Sequence, residues 1–211
     1  MPSGNALHTL ISISKLPSPG PAPAFTAVHV CRAVLCIGDE GPIGRIELSR
    51  KMGLGEGAVR TIIRHLANAR VVDTAKGGCV LTQRGVGLYK TLRSKLSEVR
   101  PLNARQLALD KESAAVLVRG SGRIVRRGIE QRDAAIRAGA TGACTLICRN
   151  GELIMPMGED EDWKLGSGDL LFRELQRTFG PSNNDVITIV SAVSRELAEH
   201  CSVAAALTLL G

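Results

Sequence analysis

Between Glu56 and Arg64 the chain reads EGAVRTIIR, which sets Glu56, Gly57, Arg60, Thr61 and Arg64 along one side of a helical spacing. Two guanidinium groups and a hydroxyl on one face can bind phosphate or reach guanine edges bidentately. A helix start beside them adds free N–H groups and a partial positive charge suited to an anion. Glu56 opposes phosphate, yet it fits a first helical turn and can accept from a cytosine amine. Gly57 inside a helix costs about 1 kcal/mol against alanine, and close approach of another surface would compensate. Arg45, Ser49, Arg50 and Lys51 on a preceding helix, with Lys76 further on, would hold a phosphate backbone without reading sequence. The bland alternative is an ordinary solvated face. The arrangement requires Val59, Ile63 and Leu66 to look inward.

The second half offers weaker chemistry. Gly139, Thr141 and Gly142 follow a helical stretch and could form a backbone nest for an anion or small metabolite, with Arg132 and Asp133 lining the same cleft. Their competing reading is a helix stop, a turn and a surface ion pair. The stretch is not G-x-G-x-x-G and carries no P-loop lysine. Glu159-Asp160-Glu161-Asp162 lacks the alternating spacing of a calcium loop. Glu196 and His200 sit at i, i+4, too few ligands for zinc. His29 and His65 read as packing or phosphate-proximal groups. Six cysteines contain no C-x-x-C pair and read as reduced, buried thiols, Cys144 and Cys148 on one strand face. No nucleophile–base signature occurs. The reading is therefore not an enzyme, with no catalytic residues, cofactor or metal.

These groups need elements to hold them. Leu16–Ala24 reads LPSPGPAPA, four prolines that forbid a helix, so residues 1–24 are expected to be a tail. Val28, Cys31, Val34, Leu35 and Ile37 recur at helical spacing. A short helix is predicted over Arg45–Met52, with Ile46, Leu48 and Met52 apolar, then a glycine turn, then a helix over Glu56–Ala69. Val71–Thr74 and Cys79–Thr82 flank Lys76-Gly77-Gly78 as a hairpin. Thr82 can cap a helix running from Gln83 to Leu96 with Val86, Tyr89, Leu92 and Leu96 on one stripe. That stripe could serve a dimer, or pack on its own domain or on the second half. Residues 97–113 read as a connector.

Beyond it, strands are expected at Ala114–Val118, Arg123–Arg126, Ala143–Cys148, Glu152–Met155 and Val186–Val190. Helices are expected at Ile129–Ala138, Leu170–Thr178 and Arg195–Leu209. The fold class is α+β: a helical N-terminal domain over 25–96, then a small α/β domain over 114–211 with a mixed sheet.

The whole chain has 211 residues and a formal net charge of +7. Residues 1–110 hold 15 Lys+Arg against 7 Asp+Glu, and residues 111–211 hold 12 against 13. The excess positive charge thus sits in the first half, which points to a polyanion there. Aromatics are only 2%, which weighs against single-strand platforms that stack bases on rings. No apolar run reaches a membrane span, and no signal peptide is read at the start, so a cytoplasmic protein without membrane contact is expected.

Helix, helix, glycine turn, helix and hairpin is the order of the winged helix-turn-helix, and the sequence resembles that family across residues 26–96. Ile46-Glu47-Leu48-Ser49 stands at its second helix. Leu54–Val72, LGEGAVRTIIRHLANARVV, stands at its third. Gly77-Gly78 falls at the wing tip and Leu81-Thr82-Gln83-Arg84-Gly85 at the exit. The full chain resembles an archaeal winged-helix family whose C-terminal domain has no assigned function. PSPGPAPAF, Ile43-Gly44-Arg45 and the stretch GIEQRD…GATGACTL carry that likeness. The resemblance implies a transcription regulator and brings no catalytic residues with it. The expected partners are double-stranded DNA, a second copy of the chain and a small-molecule effector. The alternative is a metabolite-binding protein or enzyme whose α/β half acts and whose winged helix recruits other proteins.

Overall fold

A computed structural model of the chain describes residues 6–15, 25–107, 112–157 and 162–210. The chain divides into two compact units, Met1–Arg93 and Ser94–Gly211. The Pro-rich stretch 16–24 and most of the acidic run, 159–161, lie outside the described residues.

The first unit begins with a helix, α1 (Ala6–Ser14), where the sequence reading expected a tail. Leu10 and Ile13 are buried, and the His65 ring donates through Nδ1 to the Ile13 carbonyl at 3.0 Å. Then come α2 (Ala27–Glu40), α3 (Arg45–Met52) and α4 (Glu56–Asn68). A hairpin follows, β1 (Val72–Ala75) antiparallel to β2 (Gly78–Leu81), and after it α5 (Gln83–Lys95).

Helix ends follow local chemistry. Thr26 and His29 make reciprocal contacts at the start of α2, with the Thr26 N–H donating to His29 Nδ1 at 3.1 Å. Burial, then the Arg32 charge, lowers the His29 pKa to about 4. The left-handed Gly53 (φ 65°) ends α3. The Thr82 hydroxyl accepts from the Gly85 N–H at 3.1 Å and so caps α5 as expected. A Cβ on Gly85 would lie 2.0 Å from the Val71 carbonyl oxygen, so only glycine fits where α5 crosses the hairpin.

Two apolar assignments change. Ile46 is 69% exposed and does not join Leu48 and Met52 inside. On α4 the fully buried positions are Val59, Ile62, His65 and Leu66, while Ile63 is half-buried. α1 packs against α4 through Ile13 and His65, which accounts for the burial of His65.

The second unit is a sheet of six strands in the order β3 (Arg100–Pro101), β4 (Glu112–Val118), β8 (Val186–Ala192), β5 (Gly142–Arg149), β6 (Glu152–Met155), β7 (Trp163–Leu165). Every neighbouring pair is antiparallel, which corrects the expected mixed sheet. The last strand, β8, is inserted between β4 and β5, which point the same way and would otherwise pair in parallel. Helices α6 (Ile129–Arg137), α7 (Leu170–Phe179) and α8 (Arg195–Leu207) complete the unit.

Alternation along the strands builds two cores. Leu117, Leu146, Ile187 and Ile189 face Leu171 and Leu175 of α7. Ala114, Ala192 and Val190 face Ala198, Cys201 and Ala205 of α8, with Ala135 of α6. Small residues at that second layer let the helices lie close to the sheet. The expected strand Arg123–Arg126 is a series of turns instead. The expected connector contributes β3 at the sheet edge and buries Leu102 and Ala104.

Candidate nucleic-acid interface

Helices α3 and α4 meet at a tight corner. The Leu54 N–H donates to the Ser49 carbonyl at 3.1 Å, and the Ser49 hydroxyl donates to the Leu54 carbonyl. Ser49 is therefore spent on the turn. Arg32, a buried residue of α2, donates to the carbonyls of Lys51 (3.1 Å) and Met52 (3.3 Å). A guanidinium at the C-terminal end of α3 matches the negative end of that helix and fixes the corner. The sequence reading missed Arg32 because it lies on the helical spacing of a core face.

The corner presents α4 outward along Glu56, Gly57, Arg60 and Arg64, all exposed. The Arg60 side chain has no hydrogen-bond or ion-pair partner among the described residues. Nothing lies within 4 Å of a Cβ built on Gly57, so a bulky surface could approach the helix there. The Thr61 hydroxyl donates back to the Gly57 carbonyl at 3.1 Å.

The cations of α3 are already engaged. Arg45 pairs with Glu56 at 3.2 Å, which joins the first turns of α3 and α4. Arg50 pairs with Glu47 at 2.6 Å, and Lys51 with Glu40 at 2.9 Å. These carboxylates raise the pKa values of Arg50 and Lys51, and the Arg50 hydrogen bond lowers that of Glu47.

The hairpin lies against the chain just before α3. The Ile43 and Cys79 backbones exchange hydrogen bonds at 3.1 and 2.8 Å. A Cβ on Gly78, whose φ is +144°, would fall 2.3 Å from the Ile43 carbonyl. This closeness holds Lys76 at an exposed tip. Of the α5 stripe, Tyr89 is used inside the unit: it donates to Asp39 at 2.8 Å, and Arg93 grips the same carboxylate through Nε at 3.2 Å and Nη2. Val86 stays exposed, and Leu96 bridges to Val118 within the second unit. Gly38 leaves room for the Tyr89 ring, which would stand 2.2 Å from an added Cβ.

In the second unit, Arg132 and Asp133 pair with each other at 3.3 Å on the surface of α6. The Thr141 N–H donates to Ser191 at 2.9 Å, and Gly142 opens β5 opposite the same residue. The N–H groups of Ala138, Gly139 and Ala140 all go to carbonyls of α6. No backbone donor of residues 138–141 is left for an anion nest. Among the described residues no three His, Cys, Asp or Glu side chains converge to hold a metal. No helix among them is long and apolar enough to cross a membrane. An open cleft of about 410 Å³ is lined by Leu102, Asn103, Arg105, Glu112, Glu174 and Arg195.

Two family models match this chain. Residues 33–87 match a PH0730-like, N-terminal domain, and residues 109–209 match a domain of unknown function, DUF4443. Among solved structures the chain is similar to hypothetical protein PH0730 from Pyrococcus horikoshii OT3, an archaeon. The two are 25% identical, with a TM-score of 0.66, over 88% of this chain and 92% of that one. No curated protein matches. The PH0730-like match takes in α3, α4, the hairpin and the start of α5. The other spans nearly all of the sheet and its helices.

Proposed function

We propose that the chain is a DNA-binding transcription regulator. Its first unit acts as a winged helix-turn-helix with α4 in the major groove and Lys76 of the hairpin on the backbone. The observation that carries this reading is the outward face of α4, where Arg60 stands exposed, without a partner among the described residues, above a fixed corner. The positive excess in residues 1–110 supports it. The ion pairs of Arg45, Arg50 and Lys51 do not oppose it. Exposed pairs are worth about 0–1 kcal/mol, so phosphate can displace a carboxylate at little cost.

The second unit then serves as an oligomerisation or sensing domain. A homodimer would set two α4 helices about 34 Å apart, one helical turn of duplex. The test is duplex binding followed by fluorescence anisotropy across a salt series. Binding that weakens steeply with salt and drops in Arg60→Ala supports the reading. No binding to any duplex at low salt overturns it.

The cleft beside Arg105 and Glu174 favours a second reading, a small-molecule site in which the sheet domain acts. Native mass spectrometry of the purified chain tests it. A retained small molecule with no duplex affinity would favour that reading over gene control.

A further inference from the structure

The segment Arg119–Arg127 reads RGSGRIVRR, four arginines and no acidic residue. Its half of the chain is close to neutral, so this concentration does not show in the net charge. Arg119, Arg123, Arg126 and Arg127 are all exposed. None of their guanidinium groups meets a carboxylate among the described residues. On α3, by contrast, each exposed cation has an acidic neighbour.

The backbone beneath these side chains is firmly tied. The Arg119 N–H donates to the Lys95 carbonyl and the Gly122 N–H to the Asn184 carbonyl, each at 2.8 Å. The Gly120 N–H donates to the buried Asp185 carboxylate at 2.8 Å. Ser121 and Val125 are buried. A Cβ on Gly122 would lie 2.8 Å from Ile147 and 2.9 Å from the Asn184 side chain. Gly128 (φ +71°) closes the loop with room only for glycine against Thr145. A tied backbone thus carries four exposed like charges within nine residues, with no carboxylate partner among the described residues, an arrangement that a polyanion would stabilise.

We propose that this loop is a second contact for the phosphate backbone of duplex DNA, distinct from α4. It rests on the reading that the chain binds duplex DNA. All four cations are arginines, whose planar forks match phosphate oxygens bidentately. Residues 119–137 contain no aromatic ring, so unpaired bases have nothing to stack on, and the duplex is the fitting form. Ile124, 52% exposed, is the lone large apolar side chain projecting from the loop, too little to anchor a lipid surface.

The experiment uses the full chain in three forms: wild type, the quadruple variant Arg119→Ala/Arg123→Ala/Arg126→Ala/Arg127→Ala, and Arg60→Ala/Arg64→Ala. A fourth form, Arg173→Ala/Arg177→Ala on α7, controls for charge loss alone. Affinity for two duplexes of unrelated sequence is measured from about 50 to 200 mM salt, with circular dichroism to confirm folding. Each phosphate contact contributes about 0.9 to the slope of log affinity against log salt, so the quadruple variant should flatten it by about 2–4. Its low-salt affinity should fall on the order of 10- to 100-fold, the same for every duplex sequence, since backbone contacts carry no sequence information.

A quadruple variant with wild-type affinity and slope overturns the loop contact and leaves the α4 reading intact. An equal loss in the α7 control also overturns it. Wild-type binding that survives in Arg60→Ala/Arg64→Ala but vanishes in the quadruple variant retains the loop and removes α4. A wild type that binds phosphatidylserine vesicles and no duplex removes both.

Discussion

At the residue scale the proposed function turns on a few side chains. Arg60 was legible in the sequence, because an i, i+4 pair of arginines opposite an apolar stripe faces out in any amphipathic helix. Arg60→Ala should weaken duplex binding by about 1–3 kcal/mol, read by anisotropy, with the fold intact by circular dichroism. An unchanged affinity would remove Arg60 from the interface. Ile62 and Ile63 were not separable in the sequence. Both are β-branched and apolar, and only the packing of neighbouring elements around α4 decides which one is covered.

His29 gives a pH prediction. Its pKa is lowered to about 4 in the folded chain, mainly by burial, so the folded state holds the neutral ring while the unfolded chain takes up a proton near 6.5. Its contribution is therefore complete above pH 6.5 and is lost as pH falls from there toward 4. Protonation also ends the Thr26 N–H bond to Nδ1. The ring is partly open to solvent, so the expected loss is screened to about 1 kcal/mol. Thermal melts at pH 7 and pH 4.5 should show a larger drop for wild type than for His29→Asn.

At the element scale, α1 and the α3–α4 corner are the informative parts. Leu10 is fully buried, so Leu10→Ala should cost about 2–4 kcal/mol in chemical denaturation. A true tail would lose nothing. The helix escaped sequence reading because the prolines just after it dominate the local signal, and its apolar face is meaningful only against α2 and α4. Arg32→Met keeps the apolar stem but leaves the Lys51 and Met52 carbonyls without their donor. It should cost about 1–3 kcal/mol and raise amide exchange at the α3–α4 corner. Gly53 and Gly55 announced that corner in the sequence; its buried clamp lay twenty residues away and could not be seen from them.

At the scale of the whole molecule, charge and thiols make separate predictions. Lys and Arg exceed Asp and Glu chiefly in residues 1–110, so duplex affinity should fall steeply with salt, about 10³-fold or more between 50 and 200 mM when six or more phosphates are neutralised. A flat response would argue against polyanion binding altogether. Burial pushes the Cys31 and Cys144 thiols up to about 12, and five of the six cysteines are buried. A thiol reagent at neutral pH should modify Cys36 first and reach the other five only as denaturant is added.

From α2 onward, the helices, the hairpin and their order in the first unit were determined by local signals: apolar spacing, glycine turns and a threonine cap. Each of these acts within one or two turns of chain, and so each is written in consecutive residues. The antiparallel sheet was decided only by tertiary structure. A strand shows its own alternation but not its neighbour, and β8 finds β4 and β5 across a long span of sequence. The same holds for the loop at Arg119–Arg127. Its residues carry the β-forming Ile124-Val125 pair, yet buried Ser121, the Asp185 carboxylate and glycines with no space for a Cβ bend it into turns and leave its arginines facing water.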